Sequence, residues 1–324
     1  MRLGLPLLCL LAAPPRMAAQ EAGLQPLALR VGFTRSSIRN VNANDATAAF
    51  RVFAQTVSRR HGYRLDVDTQ VFDDPALCEA QIKKGALNVA VLDTWDYLGM
   101  DIQPAMEPVC AHLEQGAVLK NYLLLTRRGG GLTSLADLRG KELMVLDGKG
   151  GHLSRAWLDY LLLAEHLEPK ESFFRRLEPV ARPTAAVLPV FFGAKPACLV
   201  DGPAFQIMSE LNPQVGNNLV ILAASEPYLD SILCIRRSGW PSERARQDVI
   251  TTFTTFHLGP GGRQILELFK LDQLVPFKDE YLNTTRKLRA ASDALRQRHL
   301  AALPGGPEAA PSAPPPRQPG GPGQ

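Results

Sequence analysis

Alternation constrains this chain most. Short apolar runs rich in β-branched residues take turns with stretches whose apolar residues recur at helical spacing. The run LALRVGF (27–33) leads into the polar loop Thr34-Arg35-Ser36-Ser37. Beyond it Ala46, Ala49, Phe50, Phe53 and Val57 fall on one face of a helix, capped by Asn44 or Asp45 and ended by His61-Gly62. Residues 65–71 alternate as a strand, a second helix is expected over about 75–84 with Gly85 closing it, and NVAVL (88–92) is a compact strand. A β-α-β-α-β order buries its apolar faces when the strands lie side by side in an open parallel sheet with helices on its faces.

A second α/β series follows. NYLLLT (121–126) reads as a strand, and Gly129-Gly130-Gly131 then breaks the chain. A helical turn over 135–139, a strand over 142–146 and the loop Asp147-Gly148-Lys149-Gly150-Gly151 come next. The loop opens a helix with Leu153, Trp157, Tyr160, Leu161 and Ala164 on one face. Residues 197–200 and 219–222 read as further strands, SILCI (231–235) as a strand returning to the first unit, and about 242–258 and 261–269 as helices. Two such series in 324 residues favour two lobes over one enlarged core.

The two ends differ from this body. Residues 1–19 carry Arg2, an apolar run over 3–13 and Ala18-Ala19 ahead of Gln20, the pattern of a cleaved secretory signal peptide too short to remain as a membrane anchor. The mature chain is therefore expected outside the cytoplasm. Residues 301–324 are Pro- and Gly-rich and are expected to be disordered. In an oxidising compartment Cys78, Cys110, Cys198 and Cys234 are open to disulfide pairing or to burial as free thiols. A net charge of +4, with arginines in scattered pairs, gives no tract for nucleic acid.

The loop 147–154 (DGKGGHLS) is the strongest chemical signal. Glycines between a strand and a helix let backbone N–H groups converge, and the helix N-terminus adds partial positive charge, so Gly150, Gly151, His152 and Ser154 form a candidate anion site. No Lys-Ser or Lys-Thr pair follows the glycines, which excludes a Walker A loop, and a tight turn with a capping histidine stays open as the plainer reading. Asp93, Trp95 and Tyr97 follow the NVAVL strand, where open α/β sheets bind ligands, although either aromatic also suits a core. Asn40, Asn42, Asn44 and Asp45 cluster after the first strand as candidate donors or turn residues. There is no GxSxG, no HExxH and no cysteine-rich metal motif, and the six histidines are dispersed. No catalytic residue, metal or cofactor is expected.

The segments LRVGF (29–33), NANDATAAF (42–50), IKKGALNVAVLDTWDYL (82–98), SLADLRGKEL (134–143), LPVFFGAKPACLVD (188–201), ELNPQVGNNL (210–219) and GGRQILELFK (261–270) resemble type II periplasmic solute-binding proteins of the phosphate/phosphite/phosphonate ABC-transporter group. SLADLRGK is specific only to the fold. The resemblance implies an α/β architecture of two lobes, each an open mixed sheet flanked by helices, with a ligand cleft between them: 27–127 plus 229–300 as lobe 1 and 128–228 as lobe 2. It implies a non-catalytic, monomeric periplasmic receptor that closes over a small oxyanion, with a membrane permease and ATPase as partners. A receptor for a sensor kinase or cyclase, and an enzyme on the same fold, are the alternatives. Lobe 2 would offer Gly150, Gly151, His152 and Ser154. Lobe 1 would offer Ser36, Ser37, Asn42, Asp93, Trp95 and Tyr97, while Asp201 would face an amino group of the ligand or cap a helix. Phosphonate binders carry a Ser/Thr-rich loop where this chain has Gly-Lys-Gly-Gly-His, which leaves the identity of the anion open.

Overall fold

The structure is a computed structural model that describes residues 23–38, 43–147 and 150–302. Strand β1 (Gln25–Thr34) pairs parallel with β2 (Tyr63–Phe72) along its whole length and with β3 (Val89–Asp93) over its C-terminal part. Helix α1 (Ala43–Arg60) connects β1 to β2, α2 (Pro75–Lys83) connects β2 to β3, and the short α3 (Thr94–Gly99) follows β3. Helix α2 starts where the Asp74 carboxylate accepts the Ala76 N–H at 2.9 Å with Pro75 in the first turn, and Gly85 leaves it at a φ of 80°. Helix α1 begins at Ala43, so Asn44 and Asp45 lie inside its first turn rather than ahead of it. β10 (Ser231–Arg236) returns antiparallel against β3, as expected, and β4 (Met106–Leu113) and β11 (Gln273–Pro276) complete the order β11-β4-β10-β3-β1-β2. β3 is buried at every position and β10 at all but its last, because helices cover both faces.

The second sheet has the order β7-β6-β8-β5-β9, built from β5 (Tyr122–Arg127), β6 (Glu142–Leu146), β7 (Arg176–Val180), β8 (Ala197–Asp201) and β9 (Leu219–Ala224). Its connections carry α4 (Gly151–Ala164), α5 (Lys170–Phe173), α6 (Pro183–Phe191), α7 (Gly202–Leu211) and α8 (Pro213–Asn218). Leu153, Trp157, Leu158 and Leu162 of α4 fill one face, and Val187 and Val190 of α6 fill the other against Met144 and Val200. In the first lobe α1, α9 (Glu243–Thr254) and α10 (Pro260–Leu268) cover one face through Phe50, Phe253 and Ile265, and α2 covers the other through Cys78 and Ile82. The molecule is thus two α/β lobes, each an open mixed sheet between helices.

Three segments tie the lobes together. The crossovers on either side of β5 and β9 bond to each other: Lys120 N–H donates to Tyr228 O and Tyr228 N–H to Lys120 O, both at 2.8 Å. The last helix, α11 (Asn283–Ala302), lies against α4, with Leu288 entering the core of the second lobe and Arg296 bonded to Asp159 at 2.6 Å. Two expected lobe boundaries are corrected by these contacts. Tyr122–Arg127 belongs to the second sheet, because it pairs with β8 and β9, and α11 bridges both lobes instead of closing the first. Cys78, Cys110, Cys198 and Cys234 are buried free thiols, and burial pushes Cys78 and Cys110 up to about 12. No helix among the described residues is long and apolar enough to cross a membrane. The expected signal peptide (1–19) and the tail beyond Ala302 lie outside the described residues.

Candidate functional site

The carboxyl edges of the two sheets meet at β3, β1 and the start of α4. Asp93, the last residue of β3, caps α3 by accepting the Trp95 N–H at 2.8 Å. Three residues on, one turn up the helix, Asp96 lies on the same face as its cap. The Asp96 carboxylate is largely buried and bonded at both oxygens: Oδ2 accepts the Ser36 hydroxyl at 2.6 Å, and Oδ1 accepts His152 Nδ1–H at 2.7 Å. Ser36 sits in the 3-10 turn Arg35–Ser37 that follows β1, whereas His152 is in the first turn of α4 on the opposite lobe. Asp96 therefore joins the lobes directly.

Gly150 is the N-cap of α4, with a φ of 70° that favours glycine. Its N–H donates across the cleft to Ser36 O at 3.0 Å. Its α-carbon is packed so closely that a Cβ would stand 2.4 Å from Tyr122 Oη and 2.7 Å from Asp230 Oδ1. Those two buried groups are themselves bonded, the Tyr122 hydroxyl donating to Asp230 at 2.5 Å. Behind them the Lys120 ammonium lies 3.1 Å from Asp230 and 2.7 Å from Glu114, so the hinge carries a buried ion network. Arg155, one turn into α4, pairs with Asp147 at 2.9 Å.

Charge of both signs converges here. Burial and the neighbouring Asp96 raise Asp93 well above the usual carboxylate range, with His152 and the Trp95 N–H acting against the shift, and Asp93 Oδ2 has no hydrogen-bond partner among the described residues. The bond to Asp96 raises His152 above its ordinary value despite burial, and Asp93 adds to the shift. Burial works against the charge on Lys120, but Asp230, Glu114 and Asp201 outweigh it and hold the ammonium above its usual range. The positive end of α4, His152 and Arg155 on one side therefore face Asp93, Asp96 and the Ser36 hydroxyl on the other. Among the described residues no group of three or more His, Cys, Asp or Glu side chains is placed to hold a metal ion.

The sequence over residues 37–282 matches the family described as ABC transporter, phosphonate, periplasmic substrate-binding protein. This chain belongs to that family. The phosphonate-family protein is accordingly a periplasmic substrate-binding component of an ABC transporter, with a small ligand and with a permease and ATPase as partners. No curated protein matches it. Among solved structures it is similar to a Xanthomonas citri protein bound to ATP, at 14% identity and a TM-score of 0.61 over 83% of this chain and 98% of that one. It is similar to a binding protein component of an ABC phosphonate transporter from Pseudomonas aeruginosa, at 15% identity and a TM-score of 0.60 over 87% of this chain and 91% of that one. It is also similar to PhnD1 from Prochlorococcus marinus in complex with methylphosphonate, at 13% identity and a TM-score of 0.56 over 82% of this chain and 98% of that one. At these identities the likeness shows the two-lobed fold.

Within this phosphonate-family protein the expected site residues divide. Ser36, Asp93, Gly150, Gly151 and His152 gather at the cleft. Ser37 does not join them: its buried hydroxyl is turned to the carbonyls of Thr34 and Val91, at 2.7 and 2.9 Å. The Ser154 hydroxyl is buried and bonds back to Gly151 O at 3.1 Å, one turn too far along α4 to reach the cleft. Tyr97 is rotated away by its place in α3 and packs in the first-lobe core, where burial pushes it up to about 12. Trp95 is half-buried beneath Arg289 of α11, whose guanidinium stands 4.9 Å from the ring centroid, and helps to seat that helix. Asp201 caps α7 by accepting the Ala204 N–H at 2.8 Å. Asn42 lies outside the described residues, as do Gly148 and Lys149 of the glycine loop. The sequence reading passed over Asp96, Tyr122, Lys120 and Asp230. The capping spacing of Asp93 and Asp96 was the one available signal for the first of them.

Proposed function

We propose that this protein captures a small tetrahedral oxyanion of the phosphonate type in the cleft, holds it by lobe closure, and presents it to its permease without transforming it. The reading rests on family membership together with one observation: donors from both lobes, the Ser36 hydroxyl on one side and His152 with the first turn of α4 on the other, converge on a single oxyanion, the Asp96 carboxylate. A group that satisfies both sets of donors at once stabilises the closed arrangement over the open one by its differential contacts. Export by the N-terminal 1–19 segment and a monomeric state belong to the same reading.

The test is a thermal-shift series with methylphosphonate, phosphate, sulfate and acetate. An oxyanion that binds only the folded state at 100 times its Kd adds about 2.7 kcal/mol of apparent stability. A saturable rise with methylphosphonate supports the proposal. Equal, non-saturating effects of all four salts would refute it.

A further inference from the structure

The edge of the second sheet that faces away from the cleft gathers a set of charges that the proposed function does not use. Strands β6, β7 and β8 start at this edge and the antiparallel β5 ends there, with Thr126 paired to Ala197. The strand ends surround a cavity of about 570 Å³ lined by Arg127, Lys141, Glu142, Arg175 and Lys195, with Gly193 in its wall. We propose that this cavity is a second anion site, contained within the second lobe, for a small oxyanion that carries two or more negative charges, of the pyrophosphate class.

The charges in this cavity do not cancel. Glu142 is taken at both carboxylate oxygens, by Arg175 and by Lys195, each at 2.9 Å, and Lys195 also bonds Glu178 at 2.8 Å. The bond from Lys195, with Arg175 beside it, holds Glu142 below the usual carboxylate range, and Glu178 and Glu142 hold Lys195 above its own. Two carboxylates are thereby matched by two cations. Arg127 and Lys141 remain, and neither side chain has a hydrogen bond or ion pair among the described residues. Arg127 is seated as well as unpaired. Gly193 has a φ of 76°, and a Cβ there would collide with the Arg127 guanidinium and stand 3.5 Å from its Cζ. The glycine therefore supplies both the turn and the room against which the guanidinium rests. A guanidinium offers a fork of N–H donors that matches an oxyanion, and an ammonium adds a compact positive charge. Two unpaired cations in one cavity repel each other, and an anion that meets both relieves that repulsion. A singly charged ion leaves one of them unmatched, whereas a ligand with two charged groups pairs both. The cavity is separate from the cleft: His152 follows the opposite, carboxyl end of β6, and no lining residue comes from the first lobe.

Calorimetric titration of the whole protein with pyrophosphate at low ionic strength tests the site, with acetate as the singly charged comparison. The parent protein should bind pyrophosphate saturably and at least about tenfold more tightly than acetate, with affinity falling as salt is added. Arg127→Gln and Lys141→Gln should each weaken pyrophosphate by about tenfold, the loss of one charge-assisted hydrogen bond. Neither side chain is bonded in the free protein, so both variants should keep the parent's circular dichroism and Tm, and one folded variant suffices. His152→Ala should bind pyrophosphate as the parent does, because His152 lies at the other edge of the sheet. No saturable heat with the parent, equal affinity for acetate, or folded Arg127 and Lys141 variants that bind within about threefold of the parent would overturn the proposal. So would a loss found only in His152→Ala, which would place pyrophosphate in the cleft. None of these outcomes bears on methylphosphonate capture, so the two readings fail separately.

Discussion

Replacing Gly150 with alanine should disrupt the site far more than the same change at Gly151. At Gly150 the backbone has a φ of 70°, where a side chain costs roughly 1–2 kcal/mol. The new methyl would also stand 2.4 Å from Tyr122 Oη and 2.8 Å from Asp230 Cγ, and both residues are buried and bonded to each other. Separating them removes a buried hydrogen bond to a charged group, worth roughly 1.5–3 kcal/mol. The two effects together come to about 3–5 kcal/mol, a fall in Tm on the order of 10 °C. At Gly151 the nearest atom to a new Cβ is Asp147 Oδ1 at 3.1 Å, the end of a side chain that is 45% exposed and free to shift. Gly151→Ala should therefore change stability by less than about 1 kcal/mol in either direction. Thermal unfolding followed by circular dichroism measures both. Equal effects of the two substitutions, or a Gly150→Ala protein within about 1 kcal/mol of the parent, would show that the Gly150–Tyr122–Asp230 packing does not constrain the start of α4.

Three further outcomes follow from the same geometry. Lys120→Met leaves Asp230 and Glu114 without their buried cation and should cost about 3–5 kcal/mol in a chemical unfolding series; a loss below about 1 kcal/mol would contradict the hinge network. Because His152 is raised by Asp96, its contribution to the closed form is full below the ordinary histidine range of about 6.5 and is lost as pH rises through its higher folded value. A fluorescence label on each lobe should therefore report opening over that upper window in the parent and no such step in His152→Gln. Tyr97→Phe should leave methylphosphonate affinity unchanged by calorimetry, since that side chain is in the first-lobe core; a tenfold loss would return it to the cleft.

Eight of the strands were found by sequence reading: β3, β8 and β10 are buried on both faces and show as continuous apolar runs that need no periodicity to be seen, whereas β2, exposed along much of one face, shows by its alternation. Those it missed carry proline. Pro179 is in β7 and Pro276 in β11, both at sheet edges where a missing N–H is tolerated, and Pro108 in β4 adjoins the register shift opposite Leu233 and Cys234. At the site, the glycine loop marked the start of α4 in the sequence, where Gly150 takes the N-cap position at a φ of 70°. Asp96 was hidden by its aromatic neighbours, although a residue three places after a capping aspartate lies over the cap while Tyr97 is carried round toward the core. Tyr122 and Asp230 are 108 residues apart and meet only because the paired crossovers bring β5 and the start of β10 together, which no local pattern encodes.

The central claim is that donors from both lobes close on one tetrahedral oxyanion. Calorimetric titration of the whole protein with methylphosphonate tests it most directly, repeated with His152→Ala as the removal of one lobe's donor. The account predicts saturable binding at one ligand per chain, weakened by about 10-fold or more in the variant, in keeping with the loss of a charge-assisted hydrogen bond. No saturable heat with the parent protein, or equal affinity in parent and variant, would contradict it.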